Sequence, residues 1–163
     1  MPRVPRAPQL LIAWLAICLA ASGCQKREAG PTGDIVETLR APRVDGAPFD
    51  PKVLRGKPTL VLFVSPTCPH CVDELPAAQA AAKSKNANVV AVFIAGKAEN
   101  AQGVIDHTKF DGTALIDDGT LRRKYGIRAV PLTVVLGPDG FATEQLRGGV
   151  GQERLADALA DAR

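Results

Sequence analysis

Residues 59–71 constrain the fold of this 163-residue chain more than any other stretch. A run of apolar or β-branched residues, Thr59–Val64, follows the breaker sequence Gly-Lys-Pro and precedes two cysteines three positions apart, Cys68 and Cys71. A continuous apolar run of this length is typical of a strand that is buried on both faces. A proline directly after the first cysteine suits the first position of a helix, where its missing N–H would have no partner. The sequence therefore predicts a central strand that leads into a helix over Pro69–Lys85.

The two cysteines then lie at the beginning of that helix. Cys68 is at the helix N-terminus, where unpaired backbone N–H groups and the helix dipole favour a thiolate. Cys71 lies one turn further in and is placed to resolve a mixed disulfide formed on Cys68. Half of a zinc site is the alternative, but beyond His70 the chain has only His107 and no second closely spaced cysteine pair. The pair predicts thiol–disulfide exchange, with no metal and no cofactor other than the Cys68–Cys71 disulfide.

Further apolar runs and turn signals predict the remaining elements. In chain order these are a strand at 88–95, a helix at 98–110, a strand at 114–116, a short helix at 118–125, a hairpin at 132–146 and a helix at 152–162. Upstream, residues 35–44 and 47–49 flank Asp45-Gly46, which predicts an N-terminal β-hairpin. The order of elements predicts an α/β fold, with a mixed central sheet and helices on both of its faces.

The N-terminal residues have the pattern of an export signal. Arg3 and Arg6 precede an apolar run at residues 10–21, which is shorter than the roughly 20 residues that a membrane span needs. The sequence Leu-Ala-Ala-Ser-Gly-Cys24 resembles the lipobox of bacterial lipoproteins, in which the cysteine carries lipid. The alternative is an ordinary signal peptide that leaves Cys24 a free thiol. We expect a lipoprotein signal at 1–23, a flexible tether at 24–33 and one folded domain at 34–163.

The charge balance does not predict a nucleic-acid partner. The whole chain has 20 Lys and Arg against 17 Asp and Glu, a net charge of +3. Removal of Arg3 and Arg6 with the signal lowers the basic count by two to 18, against the same 17 acids. The exported protein is therefore close to neutral.

Residues 34–163 resemble the thioredoxin-like superfamily and, within it, the membrane-tethered TlpA/ResA group of thiol:disulfide oxidoreductases. The resemblance rests on the dithiol after a central strand, on Glu74 and Pro76 shortly after it, and on Tyr125-Gly-Ile-Arg-Ala-Val-Pro131. That last stretch is similar to the loop that holds the family's cis-proline. Strand and helix material at about residues 96–116, the preceding hairpin and the export signal favour the TlpA/ResA type over a minimal thioredoxin.

By this resemblance, several residues acquire roles around the dithiol. The Val130–Pro131 bond is expected to be cis, and the backbone of Val130 is expected to receive an extended substrate peptide. Glu74 is expected to assist proton transfer for the buried second thiol; the alternative is a solvent-facing acid that suits the helix dipole. Two positions depart from the family pattern, since Leu62 stands where thioredoxins commonly have a buried acid and Thr67 where they have tryptophan.

The direction of electron flow has two interpretations. The Pro69-His70 dipeptide resembles that of DsbA-type oxidases, in which extra stabilisation of the thiolate makes the protein oxidising. The TlpA/ResA resemblance implies instead a reductase that keeps exported thiols reduced. We favour the reductase because the helical domain inserted into DsbA-type oxidases cannot fit in this chain.

Two other classes of protein share part of the pattern. A thiol peroxidase of the peroxiredoxin kind has the same fold, but Ser65 stands where its motif needs a threonine. A copper-delivery protein would use the two cysteines and a histidine as soft ligands, although such chaperones usually space their cysteines by three residues.

The resemblance also implies partners and a location. The expected partners are exported proteins with thiols or disulfides, and a membrane thiol that donates or accepts electrons. The expected location is a bacterial membrane, held by lipid on Cys24, with the domain facing the periplasm or the cell exterior.

Overall fold

The computed structural model describes residues 30–162. After a 3-10 helix at Pro51–Leu54, its elements in chain order are β1 (Thr59–Val64), α1 (Pro69–Lys85), β2 (Asn88–Phe93), α2 (Ala98–Thr108), β3 (Thr113–Ile116), α3 (Thr120–Lys124), β4 (Leu132–Leu136), β5 (Ala142–Arg147) and α4 (Gly151–Asp161). The strands form one five-stranded sheet in the order β3-β2-β1-β4-β5. The predicted mixed sheet is confirmed, and β1 and α1 have the predicted bounds.

Strand β1 is the centre of the sheet. It pairs in parallel with β2 and antiparallel with β4, and all six of its residues are buried. Alternate side chains of a strand point to opposite faces, so both faces of β1 need apolar residues. This is why the sequence of β1 is a continuous apolar run rather than an alternating one.

Each face of the sheet carries its own hydrophobic cluster. On one face, side chains of α1, α2 and α4 pack against β1, with Leu62, Leu75 and Leu155 fully buried among them. On the other face, Phe63 packs with side chains of α3 and of the segment before the 3-10 helix, including Leu121. Helices therefore cover both faces, as predicted.

The predicted N-terminal β-hairpin is wrong. Within the described chain no strand pair precedes β1; instead residues 35–39 form a helical turn in which the N–H of Leu39 donates to the carbonyl of Ile35 at 2.8 Å. Asp45-Gly46 does form a turn, but the N–H of Val44 donates to the carbonyl of Ala114, within β3, at 2.9 Å. The unpaired backbone groups of the edge strand β3 bind part of residues 35–49, so the two halves of this segment do not pair with each other as the sequence pattern predicts.

The end of the predicted tether contacts the folded domain. The carbonyl of Pro31 accepts a hydrogen bond from the side chain of Gln145 at 2.8 Å, and that of Gly33 accepts from the N–H of Ala142 at 2.9 Å. Residues 31–33 therefore lie along β5. The predicted signal and most of the predicted tether, with Cys24, lie outside the described residues. No helix within residues 30–162 is long and apolar enough to cross a membrane.

Candidate active site

Cys68 occupies the N-cap position of α1. Its backbone is extended, with φ −101° and ψ 108°, and Pro69 follows at the first helical position. The backbone N–H of Cys71 donates to the sulfur of Cys68 at 3.3 Å. An N–H group aimed at this sulfur, together with the helix dipole, stabilises negative charge on it once the disulfide is reduced.

The two cysteines form a disulfide, with their Cα atoms 5.2 Å apart. Cys68 is partly exposed, whereas only 1% of the surface of Cys71 reaches solvent. Cys71 is a member of the apolar cluster between the sheet and α1. Cys68 is therefore the more accessible of the two sulfurs, as the sequence predicted.

The loop before β4 lies against the dithiol. The Val130–Pro131 peptide bond is cis, as predicted. The sulfur of Cys68 lies 3.8 Å from the carbonyl oxygen of Val130. The carbonyl of Pro131 accepts from the N–H of Gly148 at 2.9 Å, which ties the far side of the loop to the residues after β5.

Glu74 is buried rather than solvent-facing. Only 4% of its surface is exposed, and its carboxylate accepts hydrogen bonds from the N–H of Val150 at 3.0 Å and of Gly151 at 3.2 Å. These N–H groups belong to the beginning of α4, where a helix leaves its first donors without intrahelical partners. Glu74 therefore joins α1, one turn after Cys71, to the N-terminus of α4.

A buried hydroxyl lies next to Leu62, the position at which thioredoxins commonly have a buried acid. Thr133 on β4 is the cross-strand partner of Leu62, so the two side chains are on the same face of the sheet. Thr133 is fully buried, and its hydroxyl is the one buried side-chain polar atom among residues 30–162 without a hydrogen-bond partner. No spacing rule in the sequence points to this residue.

Asp117 is a second buried acid that the sequence did not reveal. Its two carboxylate oxygens accept from the N–H groups of Leu121 and Arg122, both at 2.9 Å, so it caps α3. An acid just before a helix beginning is the available sequence signal.

Within residues 30–162, no three His, Cys, Asp or Glu side chains lie close enough together to hold a metal ion.

Comparison with known proteins agrees with this geometry. The model of the AhpC/TSA family matches residues 32–144. The chain belongs to the AhpC/TSA family. The match includes the dithiol, the cis-proline loop and all elements up to β5.

Individual relatives of this AhpC/TSA chain have low sequence identity to it. The methylamine utilization protein MauD of Methylobacillus flagellatus is 27% identical over 124 residues, which are 74% of this chain and 60% of MauD. The soluble secreted antigen MPT53 of Mycobacterium tuberculosis is 31% identical over 105 residues, or 63% of this chain and 61% of the antigen. The chain thus spans about three fifths of the length of the curated relatives it matches.

Among solved structures, a secreted disulfide oxidoreductase of Mycobacterium tuberculosis that is homologous to DsbE of E. coli superposes with a TM-score of 0.66. The two are 28% identical, and the match covers 74% of this chain and 93% of that one. This AhpC/TSA chain therefore has a thioredoxin-like fold.

Proposed function

We propose that this protein is an exported, membrane-tethered thiol:disulfide oxidoreductase of the TlpA/ResA type, acting as a reductase of protein substrates. The observation that carries the proposal is the contrast between its two cysteines. Cys68 caps α1, is partly exposed and faces the cis-proline loop, whereas Cys71 is buried beneath it. The similarity to a solved disulfide oxidoreductase supports the same activity.

The reaction uses the two thiols in sequence. The Cys68 thiolate attacks one sulfur of a substrate disulfide, forms a mixed disulfide and releases the other substrate sulfur as a thiolate, which takes up a proton. The Cys71 thiol loses its proton and attacks the Cys68 sulfur, which forms the Cys68–Cys71 disulfide and releases the second substrate thiol. Two electrons pass to the substrate, and an external dithiol must restore the reduced protein. Val130 and Pro131 would hold the substrate backbone during both steps.

Trapping the mixed disulfide tests this assignment. In Cys71→Ser the first step proceeds and the second cannot, so we expect a covalent complex with a disulfide-bearing substrate that dithiothreitol dissolves. Cys68→Ser is the matched control and should form no complex. Equal trapping by both variants would contradict the roles assigned to Cys68 and Cys71.

The redox potential of the dithiol tests the direction. A value near that of thioredoxin, about −270 mV, supports the reductase, and one near that of DsbA, about −120 mV, would show an oxidase. Because His70 is exposed between the cysteines, His70→Ala examines its part directly: an oxidase-like contribution of the imidazole predicts a lower, more reducing potential in the variant.

Peroxide consumption separates this proposal from a thiol peroxidase. The hydroxyl of Ser65, at the position of the peroxidase threonine, lies 3.2 Å from the hydroxyl of Thr67 and so already has a hydrogen-bond partner. We expect no peroxide-dependent oxidation beyond that of Cys68→Ser. Rapid, saturable consumption of peroxide would overturn the reductase assignment.

We assign to Glu74 the part of proton partner for Cys71. Its burial one helical turn from Cys71 supports this role. Glu74→Gln keeps the shape but not the charge, and should slow the Cys71 step and change its pH profile. Asp73→Asn, on the exposed neighbour, should leave the profile unchanged. An unchanged profile in Glu74→Gln would leave Glu74 a purely structural residue.

Lipid on Cys24 would hold the domain at a membrane. This part rests on the sequence pattern before Cys24. Metabolic labelling with an alkyne fatty acid in a bacterium that processes lipoproteins should mark the wild type and Cys71→Ser, but not Cys24→Ser. Labelling of Cys24→Ser would contradict the assignment.

A further inference from the structure

A cleft of about 630 Å³ opens at the edge of the sheet where β2 and β3 end. Residues 94–96 after β2 and 117–119 after β3 form one side of it, and three arginines of α3 and the following loop, Arg122, Arg123 and Arg128, line the other. A cleft of this size accommodates a few side chains or a small ligand. The proposed exchange reaction gives it no role.

The cleft adjoins the dithiol on two sides. Gly96 packs against Pro66, since a Cβ atom on Gly96 would lie 3.2 Å from the Cγ of Pro66, and Pro66 is two residues before Cys68. Arg128 is two residues before Val130, whose carbonyl oxygen lies 3.8 Å from the sulfur of Cys68. Because two residues of chain span at most about 7 Å, the cleft lies within reach of side chains that flank the cysteine of a peptide bound at Cys68.

The two acids of the cleft are already engaged. Asp117 is buried, and both of its oxygens accept backbone N–H groups of α3. Hydrogen bonds from Thr120, followed by the charge of Arg123, hold the pKa of Asp118 below its usual value, so Asp118 is a carboxylate that offsets Arg123.

Two positively charged side chains of the cleft have no acidic partner among the described residues. Within residues 30–162, neither Arg122 nor Arg128 has a side-chain hydrogen bond or ion pair, and both are exposed. A guanidinium group binds a carboxylate through two parallel hydrogen bonds. The cleft therefore offers two free carboxylate-binding groups a short distance from the reactive sulfur.

We propose that this cleft is a specificity subsite that binds acidic side chains of the substrate protein, so that the enzyme prefers cysteines flanked by Asp or Glu. The inference rests on the proposed exchange reaction at Cys68 and adds the class of substrate sequence. The attraction is between exposed charges, so it should weaken as salt shortens the Debye length from about 10 Å at 0.1 M to about 3 Å at 1 M.

Defined peptides test the subsite on the reduced full-length protein in detergent. The probes are disulfide-linked dimers of a nine-residue peptide with one cysteine, carrying two Glu, two Gln or two Lys residues within four positions of it, on either side. Chromatography measures the release of peptide thiol, and the rate of Cys68→Ser is subtracted as the background of other thiols. Oxidised glutathione serves as a small anionic disulfide.

We expect the second-order rate constant of exchange for the Glu peptide to exceed that for the Gln peptide about 5-fold or more at low salt, on one flank at least, with the Lys peptide slowest. In Arg122→Gln/Arg128→Gln the ratio should fall below about 2-fold, as it should in 1 M salt. Arg40→Gln removes an exposed arginine outside the cleft and should keep the wild-type ratio.

The outcomes separate the two proposals. Equal rates with the Glu and Gln peptides, or a ratio that survives the double substitution, would overturn the subsite and leave the exchange reaction standing. A preference for oxidised glutathione over every peptide would overturn it in favour of a small anionic disulfide. No exchange with any probe would overturn the proposed function itself.

Discussion

Removal of the Glu74 carboxylate should destabilise the protein more than most single substitutions. The carboxylate is 4% exposed and accepts two backbone N–H groups, at 3.0 and 3.2 Å, from the beginning of α4. A hydrogen bond to a charged group contributes about 1.5–3 kcal/mol. Glu74→Ala leaves both partly buried N–H groups without an acceptor, so we expect a loss of about 3–5 kcal/mol.

Two further variants distinguish the contribution of the charge from that of the side chain's volume. Glu74→Gln retains one oxygen that can accept one of the two N–H groups, and should lose about 1–2 kcal/mol. Asp73→Ala, one residue earlier on the exposed side of α1, should change the free energy of unfolding by less than about 0.5 kcal/mol.

Urea unfolding of the oxidised proteins, followed by far-ultraviolet circular dichroism, measures these differences. The chain's single tryptophan, Trp14, precedes the folded domain and is not a suitable probe. If Glu74→Ala loses less than about 1 kcal/mol, the two hydrogen bonds do not join α1 to α4 in solution, and the structural role derived for Glu74 is refuted.

Three other perturbations have defined outcomes. Burial raises the pKa of Tyr125, and the hydrogen bond with Thr38 partly offsets this rise. The neutral phenol therefore contributes fully to stability below about pH 10, and this contribution is lost as the pH rises through the pKa of the folded protein. Tyr125→Phe should weaken this alkaline loss, and tyrosinate absorbance of the single tyrosine should show a midpoint above pH 10 in the folded protein. Thr133→Val should raise the free energy of unfolding by about 1 kcal/mol, because it removes a buried hydroxyl that has no partner, and a loss in urea unfolding would mean that the hydroxyl is hydrogen-bonded. Asp117→Ala should cost about 1–2 kcal/mol in the same assay, because it uncaps α3, and an unchanged midpoint would contradict that role.

Much of the fold could be predicted from short-range patterns. The bounds of α1 follow from Pro69 at its beginning and from Asn86 directly after its end. Asn86 adopts the left-handed backbone conformation that is common at helix ends. The hairpin of β4 and β5 follows from Gly137-Pro-Asp-Gly140, where Gly140 has φ +85°. Such features depend on a few neighbouring residues, so the sequence specifies them locally.

The features that the sequence did not predict depend instead on residues far apart in the chain. Residues 35–49 contain a correct turn signal at Asp45-Gly46, but the pairing of Val44 with Ala114 joins residues 70 positions apart. The partners of Glu74 lie 76 and 77 positions away. A pattern of neighbouring residues gives no preference among such distant partners, and packing of the whole domain selects them.

The sequence by itself predicted the centre of the site, a buried strand with two cysteines at a helix beginning, and the family resemblance implied the cis-proline loop. Each of these needs particular residue types at fixed local spacing. Only the tertiary structure decided which groups surround that chemistry. It directed Glu74 to α4 and brought the ends of β2 and β3 beside α3 and the loop that holds Arg128. Those arrangements depend on long-range burial of apolar faces, which no single segment of the chain specifies.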